Sequence, residues 1–200
     1  MSAEAPRAVP VLRGARVTLR PPGLGDAEAA RRIGVDPEVM LGFGEVIDEW
    51  REATSAEAEE LIAGLAPNPD KVEWVIALGD GLVGTARLHH IDEPRCTAAY
   101  AVGILSPDLL GKGYGTEITR LISAYAFDDL KLEALTVRVL DFNRRAIACC
   151  ARCGFVLDHR EPRVLQLHGR WHDDVIMRLD AAHYRVLLPS WTAVGDYPGG

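Results

Sequence analysis

Arg16 to Pro21, RVTLRP, alternates polar and apolar side chains, the period of a half-buried strand that a proline ends. Asp26 then caps a short helix, DAEAARRIG. Thr54 opens a second, where Glu57 three residues on fits a capping box and APNPD stops the run after Leu65. Two strand-like runs follow, VEWVIAL and LVGTARLHHI, joined by Gly79-Asp80-Gly81 as a compact hairpin. A third, AAYAVGIL from Ala98 to Leu105, closes on the turn Ser106-Pro107-Asp108.

From Ile118 the period changes. Ile118, Leu121, Ile122 and Tyr125 recur at helical spacing, which predicts a helix of roughly fifteen residues beginning near Tyr114 with that face buried. LEALTVRVL reads as the next strand, and Asn143 caps the helix RRAIACCARC, which Gly154 ends. FVLDHREPRVLQL, in part, and WHDDVIMRL make a hairpin across His168-Gly169. Residues 1–13, rich in Ala, Pro and Arg, read as a flexible leader, and residues 181–200, with Pro189, Trp191 and Tyr197, as a tail without a clear period. Antiparallel strands followed by strand, helix, strand, helix and strand predict an α+β domain over 14–180, a mixed sheet with helices on its faces.

Composition narrows the function. With 200 residues, 48% hydrophobic and 26% charged, the chain suits one domain with a sizeable core. A formal charge of −7 and the lack of a long basic cluster argue against a nucleic-acid partner and suit cationic ones. Three of the four cysteines crowd at 149, 150 and 153, unlike a disulfide framework, which predicts a reducing cytoplasm. Zinc would want a second pair of ligands, so no metal is expected. No apolar run approaches about 18 residues, so no membrane span is expected.

The stretch LLGKGYGTE, Leu109 to Glu117, carries the chemistry. Glycines at 111, 113 and 115 admit backbone angles closed to other residues and keep side chains away from a ligand. Successive amides ahead of a helix can then converge on a diphosphate, with Lys112 adding charge. A P-loop would need Ser or Thr after Gly-Lys, and Gly113 stands there. The dinucleotide fingerprint would need its third glycine one residue later than Gly115, in a parallel unit rather than after hairpins. Taken alone, the loop could be a bare turn.

It does not stand alone. Together with VLDFNRRAIACCARCGF, Val139 to Phe155, it resembles the GNAT superfamily of acetyl-CoA-dependent N-acetyltransferases, over about Val17 to Leu179. The match is nearest the branch of ribosomal-protein N-terminal acetyltransferases, the RimJ/RimL-like proteins, whose loop often reads G-K-G-Y-[AG]-T-E. The resemblance implies a single GNAT domain whose sheet has some six to seven strands flanked by about four helices. It implies that Gly111, Lys112, Gly113, Tyr114, Gly115 and Thr116 hold the diphosphate of acetyl-CoA through their amides, with Leu110 where relatives often carry Arg or Gln. Val102, Gly103 and Ile104 would splay from the strand of Leu135 to Leu140 and receive the pantetheine arm. Asn143 would meet the cofactor as well as cap its helix, and the pair Arg144-Arg145, Arg145 above all, would either reach the 3′-phosphate or simply be solvated. Family habit also implies a homodimer, with the tail meeting a neighbour through Trp191.

The same resemblance breaks at the catalytic groups. The glutamate that many relatives use as base falls on Ala98, Ala99 and Tyr100, leaving Tyr100 as the ionisable group of that stretch. His89 and His90 are substitutes, although a histidine on a sheet is more often a hydrogen-bonded structural residue, and adjacency on a strand would send one to each side of the sheet. Asp92, Asp173 and Asp174 are further options. The tyrosine that protonates departing CoA in relatives is Cys150, either an acid or a small packing residue. The expected activity is acetyl transfer to a primary amine by direct attack, the alternative an inactive acyl-CoA-binding sensor or interaction module.

Overall fold

The computed structural model describes residues 7–193. Eight strands form one sheet in the order β1-β2-β3-β4-β5-β6-β8-β7. They are β1 (Leu12–Arg13), β2 (Thr18–Arg20), β3 (Val72–Leu78), β4 (Gly81–Asp92), β5 (Thr97–Ile104), β6 (Ala134–Leu140), β7 (Val156–Leu167) and β8 (Arg170–Asp180). Every neighbouring pair is antiparallel except β5 and β6, which run parallel.

Strand alternation sends side chains into two helical layers. On one face, α1 (Asp26–Ile33) and α3 (Ser55–Ala63) pack Ala30 and Ala58 near Val75 and Leu82, with α2 (Pro37–Gly42) beside them. On the other, α4 (Tyr114–Ala124), α5 (Arg144–Arg152) and α6 (Ala181–Ala193) bury Ile118, Ile122, Cys150 and Tyr184 with Trp74, Ile76 and Leu135. A π-helical turn, Tyr125–Asp129, extends α4 and gives the helical run its expected length. Thr54 and Asn143 cap as predicted: Thr54 Oγ1 accepts from Glu57 N at 3.2 Å, and Asn143 Oδ1 from Ala146 N at 3.1 Å.

Four expectations change. The sheet gains a strand, because part of the supposed leader is ordered. Trp74 Nε1 donates to Pro10 O at 2.8 Å, Arg7 Nε donates to Pro69 O at 2.6 Å, and Leu12–Arg13 pairs with β2. Six helices replace about four, α2 and α6 being the additions. Asp26 is not a cap: Gly25 holds that place at φ 90°, while the buried Asp26 carboxylate accepts from Arg20 at 2.7 Å and Gly23 N at 2.6 Å. The Arg20 guanidinium holds that carboxyl below its ordinary range. The tail begins as α6, and Trp191, 1% exposed, meets the Tyr184 ring edge-on with centroids 5.4 Å apart inside its own core rather than meeting a neighbour. Tyr197 lies outside the described residues.

Candidate active site

The glycine loop is built as a donor array. Gly111 and Gly113 sit at φ 74° and 87°, the left-handed region where a Cβ is strained, and Gly113 is the N-cap of α4 with no side chain capping it. Among the described residues, none of the amides from Gly111 to Thr116 donates to a protein acceptor; the first taken is that of Glu117, by Gly113 O at 3.2 Å. Gly111 to Gly113 are exposed and Tyr114 to Thr116 half-buried, so the donors face solvent at the positive end of the helix.

Two residues that sequence reasoning passed over fasten this loop. Glu117, fully buried, accepts from Arg16 N at 2.7 Å, Val17 N at 3.2 Å and Arg16 Nε at 2.8 Å. A Cβ on Gly14 would lie 2.4 Å from Glu117 Oε1, which is why glycine stands there. Arg16 also donates to Lys112 O at 3.0 Å and stacks over the Tyr114 ring at 4.5 Å. The first turn of α4 is therefore clamped to the start of β2 across about a hundred residues of chain.

Beside the loop the sheet splits. Strands β5 and β6 pair from Thr97↔Ala134 to Tyr100↔Val137 and no further. Ala101 to Ile104 continue on β4, and Arg138 to Leu140 on β8, so the edges between them stand apart. Val102, Gly103 and Ile104 lie on the open edge, with a Cβ on Gly103 only 2.8 Å from the Phe43 ring. Asn143 closes the open end by donating to Gly42 O at 3.2 Å. Arg145, by contrast, is engaged by Glu38 at 2.7 Å.

The proposed acid and base candidates fare less evenly. Tyr100 is 2% exposed, its hydroxyl shared with Thr119 Oγ1 at 2.9 Å, and burial raises its pKa well above the ordinary phenol range. Cys150 is 5% exposed, and burial pushes its thiol up to about 12. Cys149 faces the loop, 3.6 Å from Thr116 Oγ1, and its neighbour Cys153 lowers its pKa to about 6, while Cys149 and burial raise that of Cys153, whose thiol donates to Thr116 O at 3.6 Å. His89 and His90 do not take opposite sides. The register shifts after His89, His90 adopts φ 50°, and the two Nδ1 atoms meet at 2.7 Å. His90 lines a recess of about 430 Å³ with Arg7, Asp70 and Glu93, not the cleft. His89 lies in register with Ala99, inside the paired part of the split.

His89 also reports on pH. Burial first, then the neighbours Arg87, His90 and Lys71, depress it to about 4. Unfolded, the ring would take a proton below about 6.5. Between those values the unfolded chain binds more protons, so stability falls as pH drops from about 6.5 to about 4. Denaturant midpoints measured through that window should fall less steeply in His89→Gln than in the unaltered chain.

Arg138 was the other omission, and Asp174, one of the further options named from the sequence, meets it only through the strand register. Arg138 is the first residue of β6 past the last β5 pair, and its guanidinium bridges Asp174 and Glu161, each at 2.9 Å. A half-buried His172 gives Nδ1 to Asp141 Oδ1 at 2.9 Å nearby.

A split parallel pair beside an amide-lined helix entry is the geometry that the sequence resemblance implied. The family model described as an acetyltransferase (GNAT) domain matches residues 16–156. The chain belongs to this GNAT family. A curated relative, "Probable N-acetyltransferase YjcK" of Bacillus subtilis (strain 168), is 28% identical over 103 residues. That match covers 52% of this chain and 57% of the relative, so the chain spans little more than half of it. Among solved structures, spermidine N-acetyltransferase from Vibrio cholerae, in complex with CoA and spermine, shares the fold at a TM-score of 0.70. It is 23% identical, over 86% of this chain and 99% of that one. Among the described residues, no helix is long and apolar enough to cross a membrane, and no group of three or more His, Cys, Asp or Glu is arranged to hold a metal.

Proposed function

We propose that this GNAT chain is an acetyl-CoA-dependent N-acetyltransferase that acts on a primary amine by direct attack in a ternary complex. The observation that carries the reading is a set of unclaimed amides, Gly111 to Thr116, opening onto the split between β5 and β6. Those amides and the α4 dipole suit the diphosphate, with Lys112 adding charge. The open backbone edge of Val102, Gly103 and Ile104 suits the pantetheine arm, and an amide there would polarise the thioester carbonyl. Asn143 holds the mouth of this split, while Arg145 reaches a 3′-phosphate only by leaving Glu38.

In this reading Cys150 and Tyr100 are packing residues. A thiol pushed up to about 12 is a poor donor to a departing thiolate, which leaves as a tolerable group unaided. The acceptor is a cationic amine. Asp141, Glu161 and Asp174 collect beside the open end of the split, which suits an ammonium, and the Vibrio cholerae neighbour is named for spermidine. The α-amino group of a protein N-terminus, suggested by the RimJ/RimL-like loop, is the second acceptor class. We place the enzyme in the cytoplasm without a nucleic-acid partner, on its free cysteines and its charge of −7. A homodimer would have to use a surface other than Trp191.

The inactive-sensor reading rests on the same burial of Tyr100 and Cys150. One assay separates them. With acetyl-CoA and a panel of spermidine, an aminoglycoside and a short peptide with a free N-terminus, free thiol should appear for at least one amine. Tight acetyl-CoA binding with no thiol from any of them would favour the sensor.

A further inference from the structure

We propose that Asp174 is the general base of the transfer, taking the proton of the incoming ammonium beside the open part of the split. The inference rests on the acetyltransferase reading and supplies what its loop and cleft lack. An aliphatic ammonium with pKa near 10 leaves only about one molecule in a thousand nucleophilic at neutral pH, so some group must accept a proton.

Register puts Asp174 in place. Val137 and Val139 of β6 point to the α4 layer, so Arg138 and Leu140 point to the other face, the face where Phe43 overlies Gly103. Asp174 is the partner of Leu140 and shares that face. Its carboxylate reaches back to Arg138, the first residue beyond the point where β5 and β6 part. His89 lies on the same face but opposite Ala99, where the strands are still joined and leave no room for a thioester. His172 is two residues farther out along β8, roughly 7 Å at strand rise, and is turned to Asp141.

The environment suits a base. Asp174 is 5% exposed, and among the described residues Oδ2 meets Arg138 while Oδ1 accepts no hydrogen bond. The charged groups acting on it are Arg138 of β6, Glu161 of β7 and Asp141 after β6; the loop after α2 packs on this end through Gly44, against Leu140 and Leu165. Burial raises the Asp174 pKa above the usual carboxylate value against the pull of Arg138, which makes it a better proton acceptor. Arg138 has a second partner in Glu161 and can shift toward it when an ammonium takes its place.

The protons balance. Asp174 takes one from the ammonium, the freed amine forms its C–N bond as the C–S bond breaks, and CoA departs as thiolate. The nitrogen then loses a second proton, which CoA thiolate takes up, and Asp174 returns its own to water. The sum is ammonium plus acetyl-CoA giving amide, CoA thiol and one proton.

Asp174→Asn tests this. At pH 7 kcat/KM for the best amine of the panel should fall by about 10²–10⁴-fold, with acetyl-CoA affinity within twofold of the unaltered protein. Near pH 10, where the amine arrives already deprotonated, the gap should close to less than about tenfold. A merely structural aspartate would lower activity equally at every pH, and that result, or a variant within threefold at pH 7, overturns the assignment. Should the Asn variant not fold, Arg138→Gln gives a second reading: without the guanidinium the carboxylate pKa rises, so the acid limb of kcat/KM moves to higher pH. An unmoved limb contradicts the proposal. Failure of the underlying acetyltransferase reading looks different, since the unaltered protein would then release no thiol at any pH, and the Asp174 assignment would fall with it.

Discussion

Replacing Glu117 by alanine should cost about 3–5 kcal/mol of stability, from two backbone donors left without their acceptor and a cavity where the side chain was. The carboxylate is fully buried, while its partner Arg16 is 43% exposed, so most of the loss comes from what is stranded rather than from the ion pair itself. The amides of Arg16 and Val17 both lose their acceptor, and an unpaired buried donor costs about 1–3 kcal/mol. A cavity opens under Gly14 as well. For a chain of this length, each kcal/mol lowers the melting temperature by about 2–4 °C, so thermal unfolding should report a drop of roughly 6–20 °C. Glu117→Gln is the control. Its amide oxygen can still serve Arg16 N and Val17 N, and only the contact with Arg16 Nε turns into donor facing donor, so it should recover more than half of the loss. If alanine and glutamine both melt within 2 °C or so of the unaltered protein, the clamp is not what holds β2 to α4.

The fold was legible wherever local pattern and tertiary role agree. VEWVIAL, LVGTARLHHI and the helix from Tyr114 declare themselves because their apolar period is the period of the surface they bury. Residues 181–193 failed for a specific reason. Ala181, Tyr184, Leu188 and Trp191 do recur at helical spacing, but Pro189 among them reads as a helix breaker, while in the fold it sits inside α6. The two-residue β1 was illegible in principle, since a strand that short exists only through its partner.

The cofactor side of the candidate site was readable because glycine spacing is a local signal, and amides need no distant partner to be displayed. The acceptor side was not. Arg138, Glu161 and Asp174 come from three strands and meet through register alone, and the His89-His90 pair meets through a bulge that strict alternation cannot foresee. Glu117 is the instructive case: in sequence it is an ordinary acidic residue in the first turn of a helix, complementing the dipole, and only the approach of Arg16 makes it a clamp.

Gly113→Val should weaken acetyl-CoA binding by at least about 100-fold, or about 2.8 kcal/mol. Gly113 sits at φ 87°, where a residue with a Cβ loses about 1–2 kcal/mol, and the nearest atom to such a Cβ is Arg16 Nη2 at 3.4 Å. The fold therefore accommodates the change with a melting temperature lower by only a few degrees, while a branched side chain occupies the ground in front of the donor array. The defect should be confined to the diphosphate: turnover of the short thioester S-acetyl-N-acetylcysteamine, which lacks that group, should be unchanged within about threefold, because the split between β5 and β6 is untouched. The decisive measurement is calorimetric titration of folded Gly113→Val and the unaltered protein with acetyl-CoA, side by side. A Kd raised a hundredfold or more is the result expected if the amides of Gly111 to Thr116 grip the diphosphate; equal Kd values for the two proteins would contradict it.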